Sequence, residues 1–232
     1  MKKLTVILIA VLLSVPALRG EDAASKKPAM AILAAISGKV EVKSVTTGKL
    51  VPAKQGMFLY EGDLIKTGDN GKASLFFMEG SEIKISSVCE IILEGKDMKN
   101  AGDTSSMKVV AGRIWAKYLK QEKAVKIVTP TAICAVKGTE FEVNVLDQNR
   151  TEVIVIEGLL ELMNSLGKVM AGASTKTTIM AGQPPEPPQT TDLSKRDKWE
   201  TTIQDAPNKK NIIIKLKTGD KEDEIKLKFK KK

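Results

Sequence analysis

Alternation interrupted by turn residues constrains this chain more than any other feature, and it is densest between Val125 and Val145. Val125, Ile127 and Thr129, and then Phe141, Val143 and Val145, fall on every second position. That spacing puts β-branched and aromatic residues on one face of a strand. Two breaks separate the runs, Thr129-Pro130 and Lys137-Gly138-Thr139. Pro130 has no N–H to give to a ladder and Gly138 can take positive φ, so each marks a corner where pairing stops and the chain turns. The stretch reads strand, turn, strand, turn, strand.

The rest of the chain repeats this habit. A clean alternation starts at Gly38-Lys-Val-Glu-Val-Lys43, and Gly-containing turns bracket the short strand Leu64-Ile65. Ala73, Leu75 and Phe77 follow on one face, then Ile83 and Ile85, Cys89, Ile91 and Leu93, and Met107, Val109, Gly112, Ile114 and Trp115. Beyond the opening stretch lie Val153 and Val155, the turn Glu157-Gly158, Leu160 and Leu162, the turn around Ser165-Leu166-Gly167, and a last strand near Thr178-Ile179-Met180. Short strands at intervals of roughly 8–12 residues with turn signals between them predict an all-β fold of stacked short strands, β-solenoid-like or a sandwich. No fixed repeat length decides between the two. Ile92 and Ile154 give their strands apolar residues on both faces, as inner strands have. Met30 to Ile36 is apolar without a clear period and reads as helix or buried strand.

After Gln183 the composition changes. Pro184-Pro185-Glu186-Pro187-Pro188 predicts a stiff, extended linker over 184–191. Residues 192–204 then read as a short helix covering an open end of the β domain, with Asp192 or Ser194 as cap and Trp199 and Ile203 on one face. From Ile212 to Phe229, apolar residues alternate with lysine on both sides of a polar turn, which predicts a β-hairpin with one apolar and one basic face. Residues 192–232 therefore form a helix-plus-hairpin tail.

Residues 1–20 read as a secretory signal peptide. Lys2 and Lys3 precede an uncharged run from Leu4 to Leu13, followed by the small-residue site Val15-Pro16-Ala17. A membrane span needs about 18 or more apolar residues, and Pro16 and Arg19 close this run short of that. The mature protein is expected in the periplasm or at the extracellular face of a bacterial envelope, soluble after cleavage. In an oxidising compartment Cys89 and Cys134, the only two cysteines, are the candidate pair for a disulfide; the alternative is two separate buried thiols.

The formal charge of +9 is unevenly spread, with 13 basic against 9 acidic residues in 184–232. An exported chain seldom meets nucleic acid, so that partner is set aside. The lysines of the hairpin, Lys226, Lys228, Lys230, Lys231 and Lys232, are the candidate contact to anionic polysaccharide or lipid headgroups. Their simpler role is to keep an edge soluble and unpaired.

The chain has no histidine, which removes His-based acid–base catalysis, Ser-His-Asp and Cys-His nucleophile systems and His metal sites. Two distant cysteines make no structural zinc site, and the glycines end strands instead of opening a phosphate-binding helix. No cofactor is expected. Carboxylates remain as catalysts: Glu61 with Asp63, and Glu140 with Glu142, are each two apart and share a strand face. Solvated faces and turn acceptors account for such pairs without catalysis, and no enzymatic activity is expected.

Gly38-Lys39-Val40, Glu61-Gly62-Asp63, Thr67-Gly68, Glu79-Gly80-Ser81, Gly112-Arg113, Val128-Thr129-Pro130-Thr131-Ala132, Val136-Lys137-Gly138-Thr139-Glu140-Phe141, Glu157-Gly158 and Ala181-Gly182-Gln183 together resemble the FecR domain, over about residues 30–183. The resemblance implies an extracytoplasmic, non-enzymatic all-β domain acting in protein–protein signal relay, with another envelope protein as partner. Regulators of that type carry a cytoplasmic segment controlling a sigma factor, then a membrane helix. Here only Met1, Lys2 and Lys3 precede the apolar run, so a stand-alone exported domain without the cytoplasmic segment is expected. Thr129, Pro130, Gly138, Thr139, Glu140, Phe141 and Gly158 then serve as a structural turn motif.

Overall fold

The structure is a computed structural model, and it describes residues 28–96, 105–118, 125–196, 199, 211–218 and 221–228. The expected signal peptide, residues 1–20, and Lys230, Lys231 and Lys232 lie outside the described residues. In chain order the strands are β1 (Ala31–Ser37), β2 (Val40–Lys43), β3 (Leu50–Pro52), β4 (Phe58–Leu59), β5 (Leu64–Thr67), β6 (Lys72–Phe77), β7 (Glu82–Ile85), β8 (Glu90–Lys96) and β9 (Ser105–Lys117). There follow β10 (Val125–Val128), β11 (Ile133–Val136), β12 (Glu140–Asp147), β13 (Arg150–Glu157), β14 (Leu159–Asn164), β15 (Gly167–Gly172), β16 (Thr175–Met180) and β17 (Gln189–Thr190). A separate pair, β18 (Asn211–Thr218) and β19 (Lys221–Lys228), forms the hairpin. Among the described residues no helix is long and apolar enough to cross a membrane.

The strands form two layers that meet at β9. One runs β4-β1-β6-β7-β9-β12-β13-β16-β17. The other runs β3-β2-β5-β8-β9-β10-β11-β14-β15. Every pairing is antiparallel except β9 with β10. Strands that precede β9 in the chain lie on one side of it in both layers, and strands that follow lie on the other. The run Met30–Ile36, ambiguous in the sequence, is the strand β1.

A single strand can serve two layers because its burial changes phase. Met107 and Val109 point to the core in the first half of β9, and Ile114 and Ala116 in the second. The switch from odd to even positions falls at Gly112, which holds φ of 87°. A Cβ there would stand 2.6 Å from the Val88 carbonyl oxygen and 2.7 Å from the Cys89 Cα. Only glycine satisfies both the conformation and the close approach.

Side chains from both layers fill one core. Leu33, Leu75, Ile83 and Ile114 come from one, and Ile65, Ile91, Leu93, Met107 and Ile127 from the other. Each such side chain is worth about 1.5–3 kcal/mol relative to exposure. Cys89 and Cys134 belong to this core as free thiols, so the structure shows two separate buried cysteines and no bridge between them.

The C-terminal part departs from the sequence reading in two ways. The proline-rich segment is extended, as consecutive prolines dictate, but it is docked. Glu186 N–H donates to the Thr178 carbonyl, Thr191 N–H donates to the Ser174 carbonyl, and β17 pairs with β16. Pro185 is buried. A proline costs an edge position nothing on its solvent side, so the segment trims the sheet instead of spanning free space.

The helix expected over 192–204 is a short 3-10 turn, Leu193–Lys195, started by the Asp192 carboxylate accepting from Ser194 N–H at 2.9 Å. Arg196 is already extended at φ −73° and ψ 139°. A helix this short gains little by itself, and two of its side chains are held elsewhere, as described next. Most of the remaining expected helix lies outside the described residues.

Candidate functional site

Phe141 and Val143 of β12 face the core, so Glu140 and Glu142 project from the opposite face of their layer. Register places Trp115 beside Glu142, Lys117 beside Glu140 and Lys84 beside Trp115. The phase change at Gly112 is what turns Arg113, Trp115 and Lys117 toward this face. Glu142 is nevertheless only 2% exposed, because the segment after Asp192 lies across it.

Arg113 donates to Glu142 Oε2 from Nε at 3.2 Å and Nη2 at 2.6 Å. Arg196 Nη1 and Trp199 Nε1 each donate to Oε1 at 2.7 Å. The Arg113 guanidinium also lies over the Trp199 ring, 5.0 Å from its centroid. Here two arginines, an indole N–H and a cation–π contact surround one carboxylate, the condition under which a buried charge is tolerated. Glu140 is occupied in the same way: Trp115 Nε1 donates to Oε1 at 3.2 Å and Lys117 Nζ to Oε2 at 3.0 Å. That bond to Glu140 raises the Lys117 pKa. Lys84 Nζ caps the Trp115 ring at 4.5 Å. Burial pushes the nearby Glu152 up, but hydrogen bonds and charge from Lys176 and Arg150 outweigh it and hold the carboxyl below its ordinary value.

The second carboxylate pair sits between β4 and β5. Asp63 is buried as a turn acceptor, taking Val45 N–H on Oδ1 at 3.0 Å and Tyr60 N–H on Oδ2 at 2.9 Å. Glu61 packs against Gly95. The structure does not bring the two pairs together as an acid and base. Among the described residues no group of three or more Cys, Asp or Glu is placed to hold a metal ion.

The turn motif forms the second feature. Thr129 N–H donates to the Ala132 carbonyl at 2.8 Å and Ala132 N–H to Thr129 Oγ1 at 3.0 Å, closing the corner around Pro130. Thr131 Oγ1 donates to Thr151 Oγ1 at 2.8 Å, and Thr151 Oγ1 to Thr129 Oγ1 at 3.1 Å, so a chain of hydroxyls ties this corner to β13 in the other layer. Thr139 Oγ1 donates to the Leu159 carbonyl at 2.9 Å. A Cβ on Gly158, whose φ is 92°, would come within 2.9 Å of the Gly138 carbonyl oxygen. The two glycine corners are thus packed on each other. Phe141 stacks on Tyr118 with centroids 6.2 Å apart.

One open depression of about 480 Å³ lies outside this corner, lined by Thr129, Pro130, Thr131, Ala132 and Ile133 together with Met163, Asn164 and Leu166. Of the basic residues singled out in the tail, Lys226 stands opposite Ile213 and Lys228 opposite Asn211 in the hairpin.

Four residues of the Glu142 cluster were not singled out as a site by sequence: Arg113, Trp115, Arg196 and Trp199. The first two could have been found from the shift in alternation at Gly112, which puts them in phase with the carboxylates of β12. The last two lie more than fifty positions from Glu142, and no local pattern announces that contact.

The FecR protein family model matches residues 63–161. Those residues run from β5 to the first half of β14, and in each layer they form an uninterrupted central block around β9. No curated protein matches the chain. Among solved structures, a crystal structure from Parabacteroides distasonis named as a "putative anti-sigma factor", at 2.50 Å resolution, aligns with TM-score 0.49 and 13% identity, over 57% of this chain and 61% of that one. A second from the same organism, under the same name at 1.65 Å, gives TM-score 0.48 and 12% identity with the same coverage. This chain thus spans about three-fifths of those proteins' length. The chain thus carries, over residues 63–161 at the centre of both layers, a segment that matches the FecR protein family.

Proposed function

We propose that this chain is an exported, non-enzymatic FecR-type module of a bacterial envelope that engages another envelope protein in signalling or assembly. The observation that carries this reading is the depression outside Thr129–Ile133. One wall, Thr129–Ile133, belongs to the family-matched block, and the other, with Met163, Asn164 and the 55% exposed Leu166, lies just beyond it; the depression between them is open. The carboxylates that would have served catalysis are engaged elsewhere: Asp63 by backbone N–H groups, Glu140 by Trp115 and Lys117, Glu142 by two arginines and Trp199. What the module offers a partner is shape and apolar surface.

The test is capture from envelope extract on the immobilised full chain, at low and high salt, beside the variant Leu166→Asp. A discrete protein retained at high salt and lost with Leu166→Asp is the expected result, since an apolar contact is insensitive to screening and a rim charge is not. Retention of only polysaccharide or lipid, abolished by salt and by deleting residues 207–232, would move the function to the hairpin. That second reading is favoured by one observation: β18 and β19 pair over their full length as a sheet of their own, carrying Lys226 and Lys228.

A further inference from the structure

The two layers end in four strands, and three of those ends are blocked. β3 ends in Pro52. β4 is two residues long, and the chain before it covers β1, with Gly56 N–H donating to the Leu33 carbonyl and Gln55 Nε2 to the Ala34 carbonyl. β17 is two residues long and follows the proline segment. These are the ordinary protections of a sheet edge. β15 is less protected: it is six residues, Gly-Lys-Val-Met-Ala-Gly, without proline, paired on one side with β14, covered only at Gly167, and its one charge, Lys168, is drawn back to Glu161 of β14 at 3.0 Å.

The direction of its backbone groups follows from one bond. Thr129 N–H donates to the Ala132 carbonyl, so that pair is hydrogen-bonded, and in an antiparallel ladder hydrogen-bonded pairs recur every second residue. Ile127 with Cys134 is then hydrogen-bonded, which turns Ile133 and Ala135 toward β14 and pairs them with Met163 and Glu161. Leu160 and Leu162 are left to bond β15 at Ala171 and Val169. The N–H groups and carbonyls of Lys168 and Met170 therefore point away from the sheet, as does the Gly172 N–H, while the Gly172 carbonyl accepts from Thr175 Oγ1 at 2.6 Å. Among the described residues no backbone partner is recorded for Lys168 or Met170 on that side. The Met170 side chain is 53% exposed and Leu166 stands at the head of the strand.

We propose that β15 pairs edge to edge with β15 of a second copy of this chain, extending the β3-to-β15 layer across a two-fold axis. Antiparallel pairing centred on Met170 sets Met170 opposite Met170 and Lys168 opposite Gly172, engaging Lys168, Met170 and the Gly172 N–H. Val169 then stands opposite Ala171 on the core side. Lysine meets glycine, so no like charges oppose each other, and the two cores stay on the same side of the continued sheet. Pro184 lies beside Gly167, where an added Cβ would meet it at 3.2 Å, which leaves the segment from Lys168 onward as the pairing surface. The interface is isologous and small, and it closes at two copies. The adjoining depression around Thr129 is not part of it.

Sedimentation equilibrium of the full chain over a wide concentration range tests the pairing. A concentration-dependent dimer is expected. Met170→Lys should raise its dissociation constant at least tenfold, because two ammonium groups would then face each other across the axis. Met170→Pro removes an outward N–H without touching the β14 ladder and should act alike, with far-UV circular dichroism unchanged in both. Hydrogen-bonded pairs hold their Cα atoms about 5.5 Å apart, within disulfide reach, so Met170→Cys should cross-link under mild oxidation while the exposed Val45→Cys control does not. A monomer throughout, a dimer indifferent to both Met170 variants, or cross-linking no faster than the Val45→Cys control would each overturn the proposal.

Discussion

Glu142 is held by groups from two distant parts of the chain, and its environment makes it the most costly single charge to disturb. Exposed pairs such as Lys39 with Glu41 or Lys66 with Glu90 contribute at most about 1 kcal/mol. Removing one partner of a buried network takes a counter-charge from the others. For Glu142→Ala that means Arg113 and Arg196, both only partly exposed, and the expected loss is about 2–4 kcal/mol. The urea midpoint measures it. A second readout is built in, since the protein has two tryptophans, Trp115 and Trp199, and both lie in this cluster. In a Trp115→Phe background the emission of Trp199 should move to longer wavelength when Glu142 is replaced. An unchanged midpoint together with unchanged emission would remove the idea that Glu142 fastens the C-terminal segment.

At the scale of the element, β9 is the piece on which both layers depend, and Gly112 is its sensitive point. Gly112→Val meets a forbidden φ and a backbone collision at once, and it should destabilise by about 3 kcal/mol or more, mainly by parting β9 from β8. Chemical unfolding would show it, and a loss below about 1 kcal/mol would mean that the crossing relaxes at little cost. Much of this element was legible beforehand. Met107, Val109, Ile114 and Trp115 mark a strand, and the turn residues Pro130, Gly138 and Gly158 fall at corners as their backbone preferences require. What alternation could not tell is where a strand ends when its pattern changes phase. The one-residue slip at Gly112 looks like two strands, or noise, until both layers are known. The parallel pairing of β10 with β9 was equally hidden, because non-local register is set by the whole layer. The docking of the proline segment could not be read, since it depends on Ser174 and Thr178 presenting carbonyls at that spot. At Leu193–Lys195 a 3-10 turn stands where a helix was expected, for a related reason: weak local preferences compete with Glu142, which holds the Arg196 and Trp199 side chains.

The whole molecule has a pH response set by its core. Burial pushes the thiols of Cys89 and Cys134 up to about 12 from 9.0, and it raises Tyr118 as well. These groups stay protonated in the folded state at pH values where the unfolded chain has released its protons. Stability is therefore full below about pH 9 and falls as pH rises from there toward about 12, by about 1.4 kcal/mol per pH unit for each thiol. Urea midpoints taken from pH 8 to 11 should show the decline, and a flat profile above pH 9 would contradict it. The family match follows the same geography, since residues 63–161 occupy the interior of both layers and leave β1 to β4 and β15 to β17 as margins. Between those margins runs β9, whose 13 residues are divided between the layers, the first half pairing in one and the second half in the other. Two sheets held only by side chains can shear along their apolar midplane; these are riveted by a continuous backbone. A load applied at β15 crosses the β14, β11 and β10 ladders to the first half of β9, and the backbone of β9 carries it to β12 and β13, so a tug on one surface is felt on the other.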